Sequence, residues 1–122
     1  MTHWNRDLDE VVRRLRADVA ATVGPTYDDV VLEAAANVRE LAAEEAEHYP
    51  DEPRDPAFHA QRLVDNVQQD FHDLWIDTTW PTCPTHPNHP LWYADGAWCC
   101  PRSGAPVASL GALAALRSGS SE

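Results

Sequence analysis

Cys83-Pro84-Thr85-His86-Pro87-Asn88-His89-Pro90, joined through an Asp95-Gly96 turn to Cys100-Pro101, is the stretch on which the reading of this chain turns. It places four thiol or imidazole donors within eighteen residues. Two short knuckles joined by a hairpin bring such donors to one tetrahedral ion, and zinc prefers this donor set. Cys99 and Cys100 are adjacent, so a strand sends them to opposite faces and only one faces a metal easily. Cys100 is the better choice, because it precedes Pro101 as Cys83 precedes Pro84. The expected ligand set is Cys83, His86, His89 and Cys100, around a structural Zn2+. A three-residue step from His86 through Pro87 can also aim His89 at solvent, and the fourth position then passes to Cys99 or to water. The competing readings are surface histidines with buried thiols, or a disulfide. A bond between adjacent Cys99 and Cys100 is strained, and any bond from Cys83 leaves one thiol over.

Working outward, Leu91 to Ala94 and Ala97 to Cys100 flank Asp95-Gly96, a two-residue signal for a type I′ hairpin. Pro101-Arg102-Ser103-Gly104 makes the second knuckle turn, and Val107 to Leu110 is expected to return as a third strand. A sheet this small buries too little surface to stand alone, so metal binding and docking on the rest of the chain must supply the difference. Trp80, Trp92 and Trp98 are expected to cover the metal and the joint.

The segment Trp80 to Leu113 resembles the zinc-ribbon-like C-terminal regions of small uncharacterised proteins from high-GC bacteria and their phages. The likeness lies in Trp80-Pro81-x-Cys83-Pro84-x-His86, His89-Pro90-Leu91, Trp98-x-Cys100-Pro101, Val107-Ala108 and Leu110-Gly111. It implies ligand positions at Cys83, His86, His89 and Cys100, with Cys99 at a variable position. Ser103 stands where a Cys-x-x-Cys knuckle has its second thiol, which departs from an ordinary ribbon. The resemblance implies no activity, and it does not extend to the N-terminal half.

That half is expected to be helical. Asp7 followed by Glu10 resembles a capping box, and Leu8, Val11, Val12, Leu15, Val19 and Val23 recur at helical steps until Gly24-Pro25 stops them. Thr26 is expected to cap a second helix to about His48, with Val30, Val31, Ala34, Val38, Leu41 and Ala42 as its apolar stripe. After a loop over Tyr49 to Arg54, Asp55-Pro56 supplies an N-cap and a proline at the first helical position. The third helix is expected to reach about Asp77, with Phe58, Leu63, Val64, Val67, Phe71, Leu74 and Trp75 inward. Glu45 and His48 are one helical step apart, but carboxylate-bridged metal bundles need a second such motif. His48, His59 and His72 therefore read as surface or helix-end histidines. The expected fold class is α+β: a three-helix acidic bundle (1–77), a small zinc-stapled antiparallel β-ribbon (78–113) and a flexible tail (114–122).

Charge is unevenly placed. Residues 1–77 carry eighteen acids against seven arginines, and residues 78–122 carry two of each, for a net charge of −11. There is no lysine. No apolar run approaches the length of a membrane span, and no charged stretch followed by an apolar one opens the chain as a secretory signal does. A soluble, cytoplasmic protein is the expectation, with no membrane partner. The sequence shows no Ser/His/Asp grouping, no phosphate-cradling glycine loop and no paired-carboxylate motif. The expectation is a non-enzymatic adaptor or regulator with a protein partner, a basic one by charge. Two alternatives are an acidic mimic of nucleic acid that inhibits a DNA-binding protein, and a zinc hydrolase using Cys83, His86 and Cys100 with water at the fourth position and His89 or a nearby acid as base. Random duplex DNA is expected not to bind at physiological salt, because this body repels a polyanion. Fluorescence anisotropy checks this, and micromolar binding that weakens with salt would overturn it.

Overall fold

The computed structural model describes residues 3–51 and 55–120. In this structure α1 spans His3–Thr22, α2 spans Asp28–His48, α3 spans Pro56–Asp73 and α4 spans Leu113–Ser120, with a short 3-10 turn at Pro25–Tyr27. The strands are β1 (Thr82–Cys83), β2 (His86–Pro90), β3 (Trp92–Ala94), β4 (Ala97–Cys99) and β5 (Pro106–Ser109). The protein is α+β, helices followed by small antiparallel sheets: β1 pairs with β2, and β3, β4 and β5 form a second sheet in that order. Among the described residues no helix is long and apolar enough to cross a membrane.

The first three helices pack on one another through the stripes that their periodicity marks. Leu8, Val12, Leu15 and Val19 of α1, Val31, Ala34, Ala35, Val38 and Ala42 of α2, and Leu63, Val64, Val67 and Phe71 of α3 are all buried. Asp55 caps α3 as its sequence predicts, its carboxylate accepting from the Ala57 amide at 2.9 Å. Other details differ. The Asp7-Glu10 pair lies inside α1, which begins earlier, and Glu10 accepts from Arg13 and Arg14 instead of capping. Thr26 does not cap α2; it sits in the 3-10 turn, and Tyr27 takes the cap position without a side-chain bond. Leu41 and Phe58 are exposed rather than inward, whereas His59 is buried. Phe58 instead carries the Arg62 guanidinium 4.7 Å from its ring centre. The expected loop over Tyr49 to Arg54 falls partly on residues 52–54, which lie outside the described residues.

α3 also stops short of Asp77. Trp75 has φ 59°, and the Ile76 amide reaches back to the Phe71 carbonyl at 3.0 Å, closing the helix with a left-handed residue. Leu74 and Trp75 are turned outward by this stop, so neither joins the core.

The sheets do not form a separate layer with its own core. Trp80, Cys83, Leu91, Tyr93, Trp98, Cys100, Leu110 and Leu113 belong to the same buried cluster as the three helical stripes. Its centre is aromatic: Phe71, Trp80, Trp98 and Tyr93 meet edge to face in sequence, with centroids 5.0, 5.5 and 6.0 Å apart. Both buried indoles end on α1. Trp80 Nε1 donates to Thr22 Oγ1 at 2.8 Å, and Trp98 Nε1 donates to Asp18 Oδ2 at 2.8 Å. Asp18 is fully buried and also accepts from the Gly111 and Leu113 amides at 2.7 and 2.9 Å, so it caps α4 as well. Gly111 must lie this close: its φ is +94°, and an added Cβ would stand 3.0 Å from Arg14 Cβ. From α3, Gln68 donates to the Trp80 and Leu91 carbonyls at 3.2 and 2.9 Å.

Three donors aimed at one buried carboxylate make Asp18 the costliest polar group to remove. Asp18→Ala is expected to lower unfolding free energy by about 3 kcal/mol or more, and Asp18→Asn, which keeps one acceptor oxygen, by about half as much. Urea unfolding followed by tryptophan fluorescence checks the order and size of the two losses.

Candidate metal centre

Cys83 ends β1, His86 begins β2, and Cys100 follows β4, so the site joins the two sheets. β1 and β2 pair with Cys83 opposite His86 and Thr82 opposite Pro90, which folds the first knuckle back on itself. In the second sheet, Asp95 and Gly96 both have positive φ, 48° and 81°, as a type I′ turn requires. The hairpin aligns Tyr93 with Trp98 and Trp92 with Cys99. Alternation along β4 then decides the thiols: Trp98 and Cys100 are buried, while Cys99 between them is half-buried. The Cys99 thiol points at the Ala97 carbonyl, 3.9 Å away.

Cys83, His86 and Cys100 bring their donor atoms within 4.8 Å of one another and could hold a metal ion. Cys83 Sγ lies 3.6 Å from His86 Nδ1, and Cys100 Sγ lies 3.4 Å from the same nitrogen. Cys83 is fully buried and Cys100 is 5% exposed, whereas His86 is half-buried. Thr85 Oγ1 stands 3.0 Å from His86 Nδ1 and 3.4 Å from Cys83 Sγ, so a hydroxyl sits beside both donors.

His89 is exposed on β2 and is not part of this group among the described residues. It does share a shallow cavity of about 260 Å³ with His86 and Arg102, so the two imidazoles open on one space. Sequence reasoning treated Ser103 only as the residue in place of a second thiol. In the structure it serves Cys100: the Ser103 hydroxyl, then the Ser103 and Arg102 amides, donate toward the sulfur and lower the Cys100 thiol pKa to about 6 against the opposing effect of burial. The knuckle turn is closed by the Gly104 amide on the Cys100 carbonyl and the Cys100 amide on the Ala105 carbonyl, both at 2.9 Å. The Glu45 and His48 pair takes no part: Glu45 forms an ion pair with Arg62 at 3.1 Å, and His48 is exposed.

No family model, curated protein or solved structure matches this chain.

Because Cys100, and not its neighbour Cys99, has its sulfur beside His86, Cys100→Ser is expected to reduce bound metal by more than half, and Cys99→Ser to leave it near the parent value. Metal content after reconstitution under reducing conditions checks this. The opposite pattern would show that Cys99 is the ligand.

Proposed function

We propose that the protein is a non-enzymatic, zinc-binding interaction protein, in which a structural zinc holds the ribbon and the acidic helical surface meets a basic protein partner. The observation that carries the metal assignment is the spacing of the donors. With Zn–S of about 2.3 Å and Zn–N of about 2.05 Å, the S···N edge of a tetrahedron is about 3.5 Å. The two sulfur to imidazole separations, 3.6 and 3.4 Å, match that edge. Two thiols and an imidazole, with no carboxylate in the group, suit zinc and not magnesium or calcium. Donors around Cys100 also favour its thiolate form, which is the form that binds a metal. On this reading zinc staples the 78–113 ribbon to an acidic three-helix bundle. His89 is the first candidate for the fourth position, reached by turning its ring in the space it shares with His86. Cys99 and water are the others. The likeness of Trp80 to Leu113 to zinc-ribbon-like regions agrees with this reading.

The donor count favours one second reading. Three protein donors leave a fourth position for water, as in hydrolytic zinc sites. Against it, no carboxylate joins the group, and the exposed His89 is not held against the other donors. The third possibility, a nucleic-acid mimic, gains nothing from the surface. Arg39 pairs with Asp9, Arg62 with Glu45 and Arg16 with Asp28, so cations interrupt the carboxylates that would have to imitate phosphates.

Protein purified without a histidine tag is expected to contain one equivalent of zinc per chain. X-ray absorption at the zinc edge is expected to show four nitrogen and sulfur neighbours. Metal near zero under reducing conditions would end the proposal, and three such neighbours with one oxygen would favour the hydrolase.

A further inference from the structure

Two tryptophans outside the core flank the joint between α3 and the sheet: Trp75 is 83% exposed and Trp92 is 60% exposed. Between α3 and the edge strand β3 lies a cavity of about 370 Å³, walled by Asp65, Gln69, His72, Trp80 and Trp92. The His72 ring stacks on Trp75, with centroids 6.5 Å apart and planes 23° from parallel. The aromatic surface therefore runs from Trp92 across the cavity to the end of α3. Trp75 stands there in left-handed backbone, a conformation that costs a side chain about 1 kcal/mol or more and that glycine adopts freely. Burial of the indole does not repay that cost.

One carboxylate, Asp65, lines the cavity, and a second, Asp73, stands behind its wall against Gln69 and His72. Asp65 is bonded to Gln61 and Asp73 to Gln69, both neutral amides, and no arginine among the described residues pairs with either. His72 Nδ1 lies 3.4 Å from Asp73. Behind them on α3, Asp70 has its carboxyl pKa raised, first by burial and then by the charges of Asp73 and Glu33, as expected where negative charge is uncompensated. Arg62, the nearest arginine along the helix, is held by Glu45 over Phe58.

We infer that this cavity is the docking site for a basic segment of a partner protein, with an arginine or lysine side chain entering between His72 and Trp92 and countered by Asp65 and Asp73. The inference rests on the proposed function and places its partner surface. A guanidinium stacks on indole faces and pairs with carboxylates at once, and both are present here. A second copy of the chain, at net charge −11, or a nucleic acid would bring negative charge to the same carboxylates.

The test uses the 122-residue chain with the metal it purifies with, isotopically labelled and titrated with a synthetic peptide of alternating arginine and glycine. The indole N–H signals of Trp75 and Trp92 are expected to move, while that of Trp98, which is fully buried and bonded to Asp18, stays in place. Trp75→Ala and Trp92→Ala are each expected to weaken binding by about threefold, and Asp65→Asn to reduce its salt dependence. Both indoles are exposed, so these variants keep the fold, and circular dichroism verifies that. Shifts confined to Glu40, Glu44 and Glu47 on α2 would overturn this surface while leaving a basic partner in place. No binding of the peptide would overturn both. Movement of the same indoles with oligo-dT at physiological salt, or with protein concentration alone, would overturn the basic occupant in favour of nucleic acid or a second copy.

Discussion

The buried carboxylate of Asp18 is the constraint on which the arrangement of this protein depends. It sits on the apolar face of α1 and accepts from the Trp98 indole and from the Gly111 and Leu113 amides. Those donors come from β4 and from the turn that starts α4, so one side chain fixes the sheet and the last helix against the first. One turn further along α1, Thr22 receives the Trp80 indole while donating to the Asp18 carbonyl. Each tryptophan buries a large apolar body, and each N–H must find an acceptor once it leaves water. The two acceptors stand four residues apart on one helix face, which sets the distance and angle at which the sheet lies.

The candidate metal centre inherits its position from this joint. Trp98 and Cys100 lie on the same face of the chain leaving β4, so seating the indole on α1 also directs the thiol inward. Cys83 belongs to the same core and reaches it from the other sheet. The two sheets are separate ladders, and Cys83, His86 and Cys100 are the point at which they approach. An ion there would close a loop between them that the backbone bonds leave open, which is the stabilising role of metals in small folds.

The charge on the helices follows a different logic. Most arginines of the body are engaged by nearby acids, and exposed pairs of that kind contribute little to stability. What they leave is a surface that is negative on balance, on which Trp92 stands exposed beside the α3 and β3 joint and Trp75 at the end of α3.

The local rules of the sequence determined the α+β order, the three amphipathic helices, the Asp55-Pro56 start of α3 and the Asp95-Gly96 hairpin. Each depends on residues within a turn or two of one another, and the Cys-Pro knuckles are local in the same sense. Three features were decided only in three dimensions. Asp18 reads as a helix-face acid, with at most its place between Leu15 and Val19 as a warning, because its partners lie 80 to 95 residues away in the chain. Leu74 and Trp75 have core-like spacing but face outward, because α3 is closed after Asp73 by a tryptophan in a conformation the pattern does not announce, and Phe58 at the start of the helix carries Arg62 on the surface. His89 has ligand spacing but an exposed position outside the Cys83, His86 and Cys100 group among the described residues, and it is the β1–β2 register that sets His86 opposite Cys83. Spacing fixes which residues can meet; the register and the docking of the sheet on α1 fix which ones do.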